Sequence, residues 1–307
     1  MSPVLVQPVI AIVAPSAFLP DAEVLQRALA AMAALGWECR YTPEDLLGRV
    51  GRFAASDADR AAALYRAAED PEVNVVMGLR GGYGISRLLD GLDYARLAAG
   101  NKLWVGHSDF TAFQLALLQH TAQASLAGPM VATDFGVEQP SAFTLQHFQR
   151  WFEAREDSIT VAQPAGWQGE LSGMLWGGNL TMLTHLVGSP HLPRIEGGIL
   201  FLEDAGETPF RLERMLYQLW HAGILQAQRA IVLGQFSEYR LTARDNGYDL
   251  PDVIAHWQDK LSLPIFSGLP HGHVADKLSL PVGGYARILA DEAGYRLRYA
   301  FAAELIE

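Results

Sequence analysis

Short apolar runs alternate with amphipathic stretches through the first half of the chain. Residues 9–14, 73–77 and 103–105 are continuous apolar segments with the length of buried strands. Residues 21–35 carry apolar side chains at helical spacing and stop at a glycine, and Ser56 opens a second helical segment. Strands that alternate with helices in this way predict parallel βαβ units, and hence an α/β fold.

The composition changes after Arg155. Residues 156–158 are polar and residues 163–166 contain proline and glycine, which is typical of a linker. We therefore predict a first domain over 1–155, a linker over 156–168 and a second domain over 169–307. In the second domain the pattern predicts strands at 199–202, 230–233, 286–290 and 295–299, with a helix at 211–221.

Composition narrows the class of protein. The chain has 307 residues, half of them hydrophobic, which suits a folded protein with a sizeable core. Its formal net charge of −11 argues against broad binding to nucleic acid or to an anionic membrane. Residues 1–7 do not resemble a signal peptide, and no apolar run is long enough to span a bilayer. We expect a soluble, cytoplasmic protein.

The chain has one cysteine, Cys39, so an intramolecular disulfide and a cysteine-rich zinc site are both excluded. It falls in a segment that reads as a strand, and we interpret it as a buried structural thiol.

The segment Gly106-His107-Ser108-Asp109-Phe110 joins a predicted strand to a predicted helix. Hydrolases place a nucleophilic serine at such a turn, where its hydroxyl is exposed and the next backbone N–H can bind an oxyanion. The α/β-hydrolase pattern G-x-S-x-G is incomplete, because Phe110 replaces its last glycine. The alternative, equally open from this segment alone, is that Ser108 caps the following helix.

A serine nucleophile needs a base and a carboxylate that orients it. Of nine histidines, His271 and His273 lie in an irregular loop bounded by glycine and proline, where functional residues are more common than on helices. The pair could instead bind a metal, but no further metal-binding pattern accompanies it. Glu203 ends an apolar strand and could orient His273, with Asp204 and Glu207 as the competing carboxylates.

A glycine-rich loop, residues 78–84, directly follows another predicted strand. The carboxyl ends of parallel strands share one edge of a sheet, so this loop and Ser108 could meet there. Gly81 and Gly82 would let a backbone N–H approach a substrate oxygen, or they could form a plain turn. The loop matches neither the dinucleotide-binding fingerprint nor the phosphate-binding P-loop.

Five motifs in this order resemble the LD-carboxypeptidases of serine peptidase family S66, over almost the whole chain. They are Leu79-Arg80-Gly81-Gly82-Tyr83-Gly84, Gly106-His107-Ser108-Asp109, Gly177-Gly178-Asn179-Leu180, Leu202-Glu203-Asp204-Ala205-Gly206-Glu207 and Gly272-His273. The loop at Pro15-Ser16 and the segment from Ser56 to Arg60 belong to the same resemblance. The family implies a flavodoxin-like, or class I glutamine-amidotransferase-like, first domain and a smaller β-rich second domain.

The resemblance also implies roles for individual residues. Ser108 would be the nucleophile, Glu203 the orienting carboxylate and His273 the base, with an oxyanion hole formed by the backbone N–H groups of Asp109 and Gly82. No metal and no cofactor are implied. The family commonly has an aromatic residue before the serine, where this chain has His107, so this side chain could line the pocket.

The implied activity is release of the terminal D-alanine from murein tetrapeptides during peptidoglycan recycling, by a homodimer. Arg80 could bind the terminal carboxylate of such a peptide or form a structural ion pair. The rival within the family is a microcin C-type immunity peptidase that cleaves peptidyl- or aminoacyl-nucleotides, for which Trp176 could support a nucleobase, although core packing is the simpler role. A noncatalytic binding protein and a metallohydrolase using His271 and His273 are the rivals from other classes.

Overall fold

A computed structural model describes residues 7–305 of the chain. Residues 1–6, on which the expectation about a signal peptide depends, and residues 306–307 lie outside the described part. Two β-sheets organise the described chain, one built mainly from its first half and the other from its second half. This arrangement confirms the predicted α/β fold with an N-terminal and a C-terminal domain.

The described residues of the first half form five strands and six α-helices. The strands are β1 (Val9–Val13), β2 (Glu38–Arg40), β3 (Val75–Gly78), β4 (Leu103–Gly106) and β5 (Ser125–Ala127). The helices are α1 (Ala22–Ala34), α2 (Pro43–Leu47), α3 (Asp57–Glu69), α4 (Tyr94–Ala99), α5 (Phe110–Thr121) and α6 (Ala142–Glu153). The strands are parallel and lie in the order β2-β1-β3-β4-β5, which is the flavodoxin-like order.

Local sequence explains these elements. All four residues of β3 are buried, as expected for a central strand covered on both faces. Asp21 and Ser56 accept hydrogen bonds from backbone N–H groups in the first turns of α1 and α3, which satisfies donors that a helix leaves unpaired. The order of strands reverses between β1 and β3, so the loops after these two strands border a crevice suited to a ligand.

Eight strands and three α-helices form the second half, as far as residue 305. The strands are β6 (Glu156–Val161), β7 (Gly169–Asn179), β8 (Ile199–Ala205), β9 (Ala230–Ser237), β10 (Ile265–Phe266), β11 (Leu280–Val282), β12 (Gly284–Ala290) and β13 (Tyr295–Ala300). The helices are α7 (Leu180–His185), α8 (Pro209–His221) and α9 (Leu250–Lys260). The second sheet has the order β10-β9-β8-β7-β12-β13-β6; its first four strands are parallel and the rest antiparallel.

The segment predicted as a linker, 156–168, begins with an edge strand of the second sheet. Strand β6 pairs with β13 over six residues. Its polar composition comes from a half-solvated edge and from Asp157, which is buried but accepts hydrogen bonds from Arg150 and His147. In the sequence, a buried carboxylate that is fully hydrogen-bonded thus looks like the polar residue of a turn. The connection between β6 and β7 is limited to residues 162–168.

One strand of the second half belongs to the first sheet. Strand β11 pairs antiparallel with β5, so the loop between β10 and β11 crosses from one domain to the other. The far end of this loop is fastened to the first domain by a buried ion pair between Lys277 and Asp134 and by Thr144, whose hydroxyl donates to the Ala275 carbonyl over 2.7 Å. The loop that carries His273 is thus anchored at both ends.

Candidate active site

Ser108 occupies a strained turn between β4 and α5. Its φ is +62°, in the left-handed region that non-glycine residues rarely adopt. Gly106 permits the sharp turn, because a Cβ on it would lie 2.7 Å from the Phe110 ring. Helix α5 takes Asp109 as its N-cap residue, and Ser108 precedes that position. The interpretation of Ser108 as the helix cap is therefore wrong, and its hydroxyl lies beside the loop after β3.

The structure brings the three side chains Ser108, His273 and Glu203 into one chain of hydrogen bonds. His273 Nε2 lies 2.9 Å from Ser108 Oγ, and His273 Nδ1 lies 2.8 Å from Glu203 Oε2. The carboxylate can only accept, so Nδ1–H donates to it and Nε2 is left to accept from the serine hydroxyl. Glu203 is buried, whereas Ser108 and His273 remain accessible. The serine comes from the first domain and the other two residues from the second.

The environment of His273 makes it a stronger base. Partial burial by itself would lower the pKa of the imidazole, but the hydrogen bond and the negative charge of Glu203, with a further contribution from Asp204, outweigh burial. The pKa of His273 is therefore raised above its usual 6.5. A base of this strength can accept the serine proton near neutral pH and later release it to a leaving group.

Asn179 supports this arrangement from behind, and the sequence reasoning assigned it no role. Its Nδ2 donates to Glu203 Oε1 over 3.2 Å and to Asp204 Oδ1 over 3.1 Å. A register shift between β8 and β9 at Leu202 and Asp204 lets neighbouring residues of one strand share a partner. Asn179 also caps α7 through Met182. An asparagine just before a predicted helix is the signal that could have identified it.

Glu203 is the carboxylate among the three candidates that contacts His273. Both oxygens of Asp204 are used elsewhere, by Asn179 and by the backbone N–H and hydroxyl of Thr181. Burial, the largest effect, and the adjacent Glu203 charge raise the pKa of Asp204, although hydrogen bonds from Thr181 oppose this. Glu207 instead forms an ion pair with Arg211 at 3.5 Å.

The glycine-rich loop after β3 lies against Ser108. A Cβ added to Gly81 would come within 2.7 Å of Ser108 Oγ, so any side chain there would collide with the hydroxyl. Gly82 has a φ of +110°, and a Cβ on it would lie 2.7 Å from Ala17. Neither Gly82 N–H nor Asp109 N–H donates to another backbone group among the described residues. The placement is compatible with the predicted oxyanion hole, which remains a prediction.

The carboxyl group of Asp109 ties this loop to the serine turn. Asp109 Oδ2 accepts hydrogen bonds from Ser16 Oγ at 2.6 Å and from the Ile85 N–H at 3.0 Å. Arg60 reinforces the junction, since its buried guanidinium donates to the carbonyls of Pro15 and Gly84. Sequence reasoning noted the Pro15-Ser16 loop and Arg60 only as parts of the resemblance, because contacts between distant loops leave no local pattern.

The other histidines near the site are buried and neutral. His107 Nδ1–H donates to the Gly128 carbonyl over 2.9 Å, and its ring meets that of His273 edge to face at 5.2 Å. Burial, with a smaller effect from Lys277, lowers the pKa of His107 well below 6.5. His271 Nδ1–H donates to the Leu278 carbonyl, and burial lowers the pKa of His271. His271 therefore faces the core while His273 faces Ser108.

No group of three or more His, Cys, Asp or Glu side chains within residues 7–305 is arranged to hold a metal ion.

Trp176 and Cys39 lie away from Ser108, His273 and Glu203. Trp176 is 1 % exposed and its indole N–H donates to Gln228 over 2.9 Å, so it packs in the core and cannot support a nucleobase. Cys39 lies on β2 as predicted, but it is half-buried rather than fully buried. Burial raises the pKa of its thiol to about 11, which keeps it protonated.

Comparison with known proteins relates both domains to one family. Residues 10–128 match the family model of the LD-carboxypeptidase N-terminal domain, and residues 172–288 match that of the C-terminal domain. A putative carboxypeptidase of Streptomyces coelicolor is 34% identical, covering 92% of this chain and 90% of that protein. A murein tetrapeptide carboxypeptidase of Pseudomonas aeruginosa is 32% identical, covering 80% of this chain and 81% of that protein.

Solved structures extend the likeness to the whole fold. A muramoyltetrapeptide carboxypeptidase from Oxalobacter formigenes has a TM-score of 0.90 and 45% identity, covering 95% of this chain and 98% of that one. The microcin C7 self-immunity protein MccF, in complex with aspartyl sulfamoyl adenosine, has a TM-score of 0.86 but only 22% identity over 97% of each chain, which shows a common fold.

No helix within residues 7–305 combines the length and apolar character needed to cross a membrane. The two matched domains, and relatives that align over most of the chain, place it in the LD-carboxypeptidase family S66, as a serine-type carboxypeptidase.

Proposed function

We propose that this enzyme hydrolyses the L,D-amide bond of murein tetrapeptides and releases the terminal D-alanine, with Ser108, His273 and Glu203 as its catalytic triad. The observation that carries the proposal is the continuous chain of hydrogen bonds from Glu203 through His273 to Ser108. The names of two relatives, from Pseudomonas aeruginosa and Oxalobacter formigenes, supply the substrate class.

In the first step Ser108 Oγ attacks the carbonyl carbon of the residue before the terminal D-alanine. His273 Nε2 accepts the hydroxyl proton as the new C–O bond forms, and Glu203 stabilises the resulting imidazolium. His273 then gives this proton to the nitrogen of the leaving D-alanine as the C–N bond breaks. The tripeptide remains as an ester on Ser108.

The negative charge on the carbonyl oxygen requires donors that are already in place. The backbone N–H groups of Asp109 and Gly82 are our candidates, because the Gly81-Gly82 loop lies directly against Ser108. The contacts of Asp109 with Ser16 and Ile85 support the rigidity that such donors need.

In the second step water attacks the ester. His273, neutral again, accepts a proton from the water and returns it to Ser108 as the tripeptide leaves. The reaction as written consumes one water and needs neither a metal nor a cofactor. A cytoplasmic role in peptidoglycan recycling and a homodimeric state are further expectations, which rest on the family resemblance alone.

The test is a comparison of two substrate classes with the purified wild-type protein in EDTA. We expect L-Ala-γ-D-Glu-meso-diaminopimelyl-D-Ala to lose D-alanine, detected by mass spectrometry, and aspartyl sulfamoyl adenosine to remain intact. Cleavage of the nucleotide without cleavage of the tetrapeptide would contradict the proposal. That result would favour the microcin C-type immunity peptidase, whose present support is a common fold at 22% identity.

A further inference from the structure

Arg80 lies on the glycine-rich loop that packs against Ser108. It directly precedes Gly81 and Gly82, in the loop that follows β3. Its side chain is half-buried, and Nη1 donates to the Phe18 carbonyl over 3.2 Å. Phe18 belongs to the loop after β1, so Arg80 bridges the two loops that border the crevice at the reversal of strand order.

Arg80 forms no ion pair with a carboxylate in the described part of the chain, although the protein has an excess of acidic residues. Three other cations of the protein do form ion pairs. Arg60 and Arg87 both pair with Asp57, and Lys277 pairs with Asp134. Burial lowers the pKa of Arg80, and the positive charge of nearby Arg52 lowers it further.

A partly buried cation without a counter-ion costs free energy, because burial removes water that would solvate the charge. The single carbonyl of Phe18 occupies one of the five N–H donors of the guanidinium. A carboxylate that accepted two parallel hydrogen bonds would satisfy both the charge and the geometry of the remaining donors. Within the described chain no residue supplies that group to Arg80.

The distance from Arg80 to Ser108 is short enough for Arg80 to reach a substrate's terminal carboxylate. A Cβ on Gly81 would lie 2.7 Å from Ser108 Oγ. With one bond of about 1.5 Å and a Cα spacing of about 3.8 Å, the Cα of Arg80 lies within about 8 Å of the hydroxyl. The carboxylate of a leaving amino acid is three bonds from the attacked carbonyl carbon, within about 4 Å of it. An arginine side chain spans the remaining gap.

We propose that Arg80 binds the terminal carboxylate of the leaving amino acid and thereby restricts the enzyme to the last residue of its substrate. This assignment rests on the proposed function, which requires a free carboxylate one residue beyond the cleaved bond. An endopeptidase substrate, or a peptide whose end is amidated, presents a neutral group at the same place. Arg80 would then be left unpaired, and the reaction would be slower.

The experiment combines two substrates with two enzymes. The substrates are the murein tetrapeptide with a free D-alanine carboxylate and the same peptide ending in D-alaninamide. Both give the same tripeptide, whose formation yields kcat/KM. We expect wild type to prefer the acid by about 10- to 100-fold, the range of a charge-assisted hydrogen bond. Arg80→Gln should lose most of that preference by slowing hydrolysis of the acid while leaving the amide within about threefold.

Arg52→Gln is the matched control. It removes one positive charge beside Arg80, but its side chain is exposed and it touches Phe18 only through a main-chain hydrogen bond. We expect this variant to keep the wild-type preference for the acid. A similar loss of preference in Arg52→Gln would mean that general positive charge, rather than Arg80, selects the acid.

The outcomes separate this assignment from the proposed function. Equal hydrolysis of acid and amide by wild type would overturn the carboxylate site while leaving the carboxypeptidase reaction intact. An equal fall for both substrates in Arg80→Gln would assign Arg80 a structural role through Phe18. Absence of tripeptide from both substrates with wild type would overturn the proposed function, and the Arg80 assignment with it.

Discussion

Glu203 determines which nitrogen of His273 faces the serine. The carboxylate accepts the Nδ1 proton, so Nε2 is held as an acceptor 2.9 Å from Ser108 Oγ. Asn179 in turn fixes the second oxygen of Glu203. These contacts hold one tautomer of His273, with Nε2 directed at Ser108. Orienting the histidine in this way is what the third residue of a catalytic triad does.

The raised pKa of His273 predicts the pH dependence of hydrolysis. The imidazolium cannot accept the serine proton, so kcat/KM should fall as the pH drops through the pKa of His273, at a midpoint above 6.5. In Glu203→Gln the largest effect that raises this pKa is absent, and the midpoint should move to lower pH. Loss of the correct tautomer should also lower kcat by about 10³- to 10⁴-fold. A pH series of tripeptide formation measures both quantities.

Asp204→Asn is the control for that variant. It removes a neighbouring negative charge but leaves the bond between Glu203 and His273 in place, so we expect a smaller shift of the midpoint and a kcat within about tenfold of wild type. If both variants gave the same loss of kcat, Glu203 would have no special role in orienting the base.

Ser108 and Glu203 could be singled out because each follows or ends a predicted strand, and His273 because it lies in an irregular loop. Their roles as a triad came from the family resemblance and stay a prediction. The sequence was insufficient for Asn179, Ser16 and Lys277. Their contacts join segments far apart in the chain, as with Ser16 and Asp109. Distance along the chain carries no information about which side chains meet once the two sheets are packed together.

The turn between β4 and α5 holds Ser108 in a backbone conformation that lowers the stability of the folded protein. A non-glycine residue in the left-handed region is destabilised by about 1–2 kcal/mol, and Ser108 has a φ of +62°. The surrounding contacts maintain this conformation, including the close packing of Gly106 against Phe110. The strain exposes the hydroxyl while the backbone enters the helix.

Ser108→Gly should therefore be more stable than Ser108→Ala. Both variants lack the hydroxyl, but glycine adopts a positive φ without the steric penalty, and we expect an advantage of about 1 kcal/mol after the greater entropy of unfolded glycine is subtracted. Urea unfolding at constant pH measures the difference. The same pair of substitutions at Ser262, an exposed residue without a positive φ, should give the opposite order. Equal stability of the two Ser108 variants would argue against a strained turn.

Two elements show why pattern alone misplaced a boundary. Strand β6 resembles a linker because its buried acidic residue, Asp157, is satisfied by Arg150 and His147 from α6. Strand β11 has an ordinary apolar sequence, and nothing in it indicates that it pairs with β5 of the first domain. The first depends on the pairing of β6 with β13, and the second on the pairing of β11 with β5. The sequence of a single strand does not specify its partner.

The molecule as a whole assembles the site from two domains. The first carries Ser108 and the glycine-rich loop, and the second carries His273 and Glu203. The crossing loop and the ion pair between Lys277 and Asp134 hold His273 against Ser108. The α/β first domain was predictable from alternating strands and helices, whereas the architecture of the second domain came from the family resemblance and not from its pattern.

The most direct measurement is release of D-alanine from L-Ala-γ-D-Glu-meso-diaminopimelyl-D-Ala by wild type and by Ser108→Ala, both in EDTA and with product identified by mass spectrometry. We expect release by wild type and, in the variant, a fall in kcat of about 10⁶-fold, the scale seen when a triad nucleophile is removed. Equal release by the two proteins would show that Ser108 is not the nucleophile and would contradict the mechanism derived from its contact with His273.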